Sequence, residues 1–169
     1  HAFAGSIAAS VDIPLLDMIG LTTTRISRMV LRHRRVGMLA SSAIGSLGLY
    51  DKALAELGIA TIDPDRQQAV MGIIKAVKRG DTGTAQRREL RALAEELIAD
   101  RADVLLLACT ELSVIADGLD DDLAVIDSLD VLVEAIVAAG LSVGVSSAPA
   151  VSDRKRRSGR RGQSRAVSP

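Results

Sequence analysis

The chain's 169 residues carry 21 basic and 21 acidic side chains, with 48% apolar residues, 1% aromatic residues and one cysteine. That length suits one ordinary domain, or one domain and part of another, with a core built from Ala, Val, Leu and Ile. A single cysteine excludes an intrachain disulfide framework and fits a reducing, cytoplasmic setting, and no apolar run reaches the roughly 18 residues of a membrane span.

In chain order, the first strand-like run is "IPLLDM" (13–18), followed by the helix-period segment "LTTTRISRMVLRHR". "RVGMLAS" (35–41) is the second strand, and "SLGLYDKALAELG" reads as one helix closing on Gly58. "GIATI" (58–62) comes next, then two helical segments, "DPDRQQAVMGIIKAVKRG" and "TGTAQRRELRALAEELIADR". Asp63 or Asp65 is a candidate cap for the first of these, and Gly80 a natural stop. "DVLLLAC" (103–109) and "DLAVI" (122–126) complete the strands, and "SLDVLVEAIVAAG" (128–140) is a last helix ending on Gly140. The strands are short, nearly continuous apolar runs, as parallel strands covered on both faces are. Their alternation with helices predicts an α/β fold with an open parallel sheet and crossover helices.

Charge divides the chain unevenly. From Val151 to Pro169 there are seven basic residues and one Asp, whereas the preceding residues hold 14 basic and 20 acidic groups. Residues 141–169 are expected to form a disordered basic tail, because so few apolar groups cannot offset the entropy of ordering. A basic run can hold nucleic acid through its phosphates. This one has no aromatic stacking partner, so nucleic acid is not the expected partner.

The lone thiol lies in "ADVLLLACTELSVI", at the carboxyl end of the most apolar run. Ligands in open α/β sheets sit beyond such strand ends. A small buried cysteine that merely finishes a strand is the plain alternative. Thr110 is expected to open a short helix, whose amide groups would favour an anion and lower the thiol's pKa.

"LLLACTEL" followed by "VIDSLDVLVEAIV" resembles the carboxy-terminal signature of the aspartate/glutamate racemase family, with Ala108 where the family's motif has Gly. "VGMLASSAIGSLGLYDKAL" and "GIATIDPDRQQAVMGIIKAVKRG" resemble the opening of the family's second domain. "HAFAGSIAASVDIPLLDMI" resembles the stretch that begins at the last residue of the family's first catalytic motif, Cys-Asn-Thr-Ala-His. The resemblance covers residues 1 to about 140. It implies a Rossmann-like or flavodoxin-like lobe at 35–126, the remnant of a second, pseudo-symmetric lobe at 1–34, and a helix at 127–140 returning to that lobe. It also implies a cofactor-independent reaction in which two thiols on opposite faces of an amino acid's Cα exchange its proton, and a homodimer in the complete protein.

Residue by residue, the resemblance makes Cys109 the second catalytic thiol. Thr110 would hold the substrate carboxylate, Glu111 the ammonium group or the orientation of a neighbouring group, and His1 would be the last residue of the first motif. Where relatives have Thr-x-Gly-Thr, this chain keeps a hydroxyl at Ser41 but has Ala43 and Ile44 in place of the Gly-Thr pair. An acidic amino acid is the expected substrate. The chain opens on His1 rather than Met, and the first thiol is expected upstream of it, so these residues alone are expected to be inactive.

Other polar residues carry less. His33 stands among charges at a helix end, Asp120 to Asp122 form a loop run without EF-hand spacing, and Lys52 and Lys75 lie on amphipathic helices. Gly45 to Gly48 lack the lysine of a phosphate loop. Two histidines and one cysteine give no metal-site spacing, so no metal is expected. A decarboxylase or maleate-isomerase-like activity would use the same fold, and a non-catalytic small-molecule-binding module with a nucleic-acid-binding tail is the alternative from another class.

Overall fold

A computed structural model of the chain describes residues 4–13, 15–119 and 122–146, without the side chains of Ala4 and 142–146. His1, Pro14, Asp120, Asp121 and all but the first six residues of the expected tail lie outside the described residues.

Four strands, β1 (Arg35–Leu39), β2 (Ala60–Ile62), β3 (Val104–Leu107) and β4 (Val125–Asp127), form one sheet in the order β2-β1-β3-β4. Every adjacent pair is parallel, with Gly37 opposite Ile62, Leu39 opposite Leu107, and Leu107 opposite Asp127. All four carboxyl ends therefore open onto one edge. This is the α/β parallel sheet that the strand–helix alternation predicts.

The helices are α1 (Ala4–Ala8), α2 (Met18–Ser27), α3 (Ser42–Leu47), α4 (Leu49–Ala55), α5 (Gln67–Lys78), α6 (Thr84–Ala99), α7 (Thr110–Ser113) and α8 (Ser128–Ser146). They cover both faces of the sheet, because successive strand residues point to opposite sides. On one face Leu39, Leu105 and Leu107 pack with Ile73, Ile74 and Val77 of α5 and Leu90, Leu93 and Leu97 of α6. On the other, Val36, Met38, Val104 and Leu106 pack with Ile19 and Ile26 of α2, Leu54 of α4 and Val131 of α8. Burying both faces is what makes "DVLLLAC" read as continuous rather than alternating.

Gly37 lets α6 come close to β1. A Cβ there would lie 2.9 Å from Leu105 Cδ2 and 3.0 Å from Leu97 Cβ. Arg25 of α2 pairs with Glu134 of α8, binding these two helices on their exposed side.

Several expected boundaries move, each for a local reason. The run 13–18 contains no strand among its described residues. Asp17 instead caps α2, its carboxylate accepting from Ile19 N–H (3.1 Å) and Gly20 N–H (3.2 Å), and α2 ends at Ser27 rather than continuing to 34. The segment 46–58 is not one helix, because Gly48 is left-handed (φ 58°) and divides α3 from α4. Neither Asp63 nor Asp65 is the N-cap of α5, which begins at Gln67 after Arg66. Gly80 does follow the helix end, with φ 85°. The last helix passes through Gly140 to Ser146. A helical glycine costs only about 1 kcal/mol relative to Ala, so residues 141–146 are helix rather than the start of the expected tail.

Candidate active site at the carboxyl edge of the sheet

Cys109 occupies the junction between β3 and α7, in extended backbone (φ −150°, ψ 124°). Its carbonyl accepts from Leu112 N–H (2.9 Å) and Ser113 N–H (3.3 Å), which starts the helical turn. The expectation that Thr110 opens a short helix holds. The side chain is half-buried and packs against the core that includes Leu107 and Leu112.

The thiol donates to Glu111 Oε2 at 2.9 Å, and the Thr110 hydroxyl donates to the same oxygen at 3.4 Å. Lys78 Nζ, at the end of α5, stands 3.5 Å from the other oxygen, Oε1. Burial, and then the Glu111 carboxylate, push the Cys109 thiol up to about 11. The Cys109 hydrogen bond, followed by Glu111's own backbone N–H, holds the Glu111 carboxyl below the ordinary range, with Lys78 acting in the same direction. The expected lowering of the thiol pKa by a helix start is therefore reversed. A four-residue helix offers little dipole, and desolvation with an adjacent negative charge outweighs it.

Ser41 lies one strand over. It and Cys109 each sit two residues beyond the register pair Leu39 and Leu107. Ser41 starts α3 through its carbonyl, which accepts from Ile44 N–H at 3.0 Å, while its side chain makes no capping bond. The residue borders a cavity of about 290 Å³, together with Ser42, Ser46, Asp63 and Gln67. Gln67 Nε2 braces the loop by donating to the Ala40 carbonyl at 2.9 Å. Burial, and then Asp51, raise the Asp63 carboxyl. Cys109 does not line this cavity. A larger cavity of about 470 Å³ opens between α2 and α8, beside Leu15, Asp17, Arg25, Arg28 and Val131. None of Ser41, Cys109, Thr110 and Glu111 borders it.

The structure thus brings Cys109, Thr110 and Glu111 into one hydrogen-bonded group and sets Ser41 on the same edge. His1 lies outside the described residues. His33, Lys52 and Lys75 are exposed, and the described residues contain no cluster of three or more His, Cys, Asp and Glu able to hold a metal ion. No helix among the described residues is long and apolar enough to cross a membrane.

Sequence reasoning misses Lys78, although it comes four residues after the buried Ile74 at the edge of the apolar stripe of α5. It also gives no role to Asp127 and Ser128. An Asp-Ser pair directly after an apolar run is a helix-start signal, and it is present in "VIDS".

A family model described as Asp/Glu/Hydantoin racemase matches residues 1–136. Broad specificity amino-acid racemase RacX of Bacillus subtilis (strain 168) is 26% identical over 143 residues, covering 84% of this chain and 61% of RacX. An aspartate racemase from Picrophilus torridus superposes with a TM-score of 0.62 at 32% identity, over 74% of this chain and 52% of that one. An aspartate racemase homologue from Pyrococcus horikoshii OT3 gives a TM-score of 0.65 at 18% identity, over 83% of this chain and 62% of that one, a likeness of fold. The chain spans between about half and three fifths of the length of these relatives.

Proposed function

The chain belongs to the Asp/Glu/Hydantoin racemase family, and from that membership we propose that it is part of an amino-acid racemase in which Cys109 is one of two acid–base groups acting at Cα. The observation that carries this is the position of the only thiol, at the carboxyl end of β3 and hydrogen-bonded at 2.9 Å to Glu111.

In one direction a thiolate on one face of the substrate takes the α-proton. The C–H electron pair moves into the carboxylate as an enediolate, and a thiol on the other face returns a proton to Cα. Each thiol ends in the other's starting state, so no cofactor is consumed or needed. Proton transfer of this kind requires a donor and a base held in place, and donors fixed on the carboxylate to meet the growing charge.

With its thiol raised to about 11, Cys109 rests as the protonated partner, ready to donate. To act as the base it must first lose that proton, and the Glu111 carboxylate, held below the ordinary range, is too weak a base to take it and serves instead as the thiol's hydrogen-bond acceptor. Glu111 therefore orients the thiol, one of the two roles expected of it. The Thr110 backbone N–H and hydroxyl are proposed for the substrate carboxylate, and Ser41 and His1 for further contacts. The substrate is proposed to be an acidic amino acid, by analogy with the aspartate racemase among the relatives. A broad-specificity racemase among them leaves room for a wider range. One unpaired cysteine is the ground for proposing a cytoplasmic enzyme.

The chain has a single cysteine, so the second thiol has to be supplied by polypeptide outside these 169 residues. The 169-residue chain alone is expected to leave D- and L-aspartate unconverted in a chiral assay. Measurable turnover by it would overturn the two-thiol mechanism.

A further inference from the structure

Cys109 lies in a short segment, 107–113, that leaves β3 and turns into α7. Two consecutive residues where β4 passes into α8 grip this segment on either side of the thiol. Ser128, 4% exposed, donates its hydroxyl to the Leu107 carbonyl at 2.9 Å, two residues before Cys109. Asp127 Oδ1 accepts from the Ser113 hydroxyl at 2.9 Å, four residues after Cys109. The same oxygen accepts from Leu129 N–H at 2.8 Å, which caps α8.

The segment needs such a grip. The parallel pairing of β3 with β4 reaches Leu107 and Asp127, and on the β1 side Ala108 N–H reaches back to the Leu39 carbonyl at 3.0 Å. Beyond that point α7 is a single turn, too short to hold its own conformation. Buried Leu112 anchors it to the core, and the Ser113 hydroxyl ties it sideways to β4. The contact between Cys109 and Glu111 is made within this turn, two residues apart, so its geometry depends on the backbone of the turn.

We propose that Asp127 and Ser128 are positioning residues for Cys109, holding the two ends of its segment so that the thiol stays aimed at Glu111. This gives the "VIDS" motif a role at the reacting group, beyond starting α8. It rests on the assignment of Cys109 as an acid–base group.

The test uses the full 169-residue chain, in which Cys109 is the only thiol, so the rate of iodoacetamide alkylation reports on it alone. Thiolate is the reactive form. Ser113→Ala removes the tie to α7 while leaving the α8 cap intact. It is expected to lower the pH midpoint of alkylation by about 0.3 unit, which is about twofold faster reaction near pH 8, with the plateau rate at high pH unchanged. Ser113→Thr keeps the hydroxyl and is expected to react as the wild type does. Ser128→Ala is expected to shift the midpoint in the same direction. If that buried substitution prevents folding, Ser113→Ala, on a partly exposed helix position, decides alone. A folded Ser113→Ala chain with the wild-type midpoint would overturn the proposal, even if its melting temperature had dropped. That result would leave the catalytic assignment of Cys109 standing, because isotope exchange tests the assignment separately.

Discussion

Cys109 Sγ donates to Glu111 Oε2 at 2.9 Å, and the opposite oxygen of that carboxylate faces Lys78 Nζ at 3.5 Å. The three groups form a short line of charge from α5 to the end of β3. The Cys109 hydrogen bond, with Lys78 acting in the same direction, keeps Glu111 ionised, and burial together with ionised Glu111 keeps the thiol protonated. This stores the proton on sulfur, whereas a thiolate needs either higher pH or a stronger proton acceptor than Glu111.

Replacing Glu111 by Gln removes the negative charge and weakens the acceptor but leaves the burial. Burial is the larger cause of the thiol's rise from 9.0 to about 11, so the midpoint should fall only part of the way. Alkylation near pH 8 is expected to speed up several-fold, short of the roughly hundredfold that two full pKa units would give. Lys78→Met should act in the opposite direction, because it removes a positive charge that favours thiolate. Slower alkylation in Glu111→Gln would contradict this description of the site.

The raised thiol also makes stability depend on pH. Between 9.0 and about 11 the unfolded chain has released its thiol proton and the folded chain has not. Protons are then bound more by the folded state, so stability falls as pH rises through this window and is unaffected by the thiol below it. Denaturant unfolding of wild type and Cys109→Ala at a series of pH values checks this. Wild type should lose stability relative to the variant as pH increases from about 8 to 10.5, and a constant difference would show that the thiol is not perturbed by folding.

The sheet is legible in the sequence because its signals are local: β1, β3 and the start of α7 lie where continuous apolar runs and the Thr after the last of them place them. Run 13–18 misleads because its apolar residues precede Asp17, whose side chain satisfies the first amides of α2. The site is legible only in part. Cys109, Thr110 and Glu111 are neighbours in sequence and can be read together. Lys78 reaches Glu111 across 33 positions, and Ser113 meets Asp127 across 14. Such meetings depend on how α5 and β4 dock on the sheet, which no periodicity in the chain encodes. The direction of the thiol's pKa shift is hidden for a related reason, since it depends on where the Glu111 carboxylate points.

α8 presents an apolar stripe to solvent. Val133, Ile136, Val137 and Leu141 are between 48% and 68% exposed and recur at helical spacing. An apolar stripe of this kind along a helix favours association, and a homodimer is proposed for the complete protein. Sedimentation velocity should show concentration-dependent self-association of the 169-residue chain, reduced by Ile136→Glu with Val137→Lys. A wild-type monomer at every concentration would contradict this.

The most direct test of Cys109 as an acid–base group is α-proton exchange in deuterated water, in a longer protein carrying the proposed second thiol, with each enantiomer given separately. Cys109→Ala should fold, because loss of one half-buried sulfur is a change on the order of 1 kcal/mol. It should abolish racemisation while the remaining thiol still washes deuterium into one enantiomer and leaves the other inert. Racemisation of both enantiomers at the wild-type rate in Cys109→Ala would contradict the assignment.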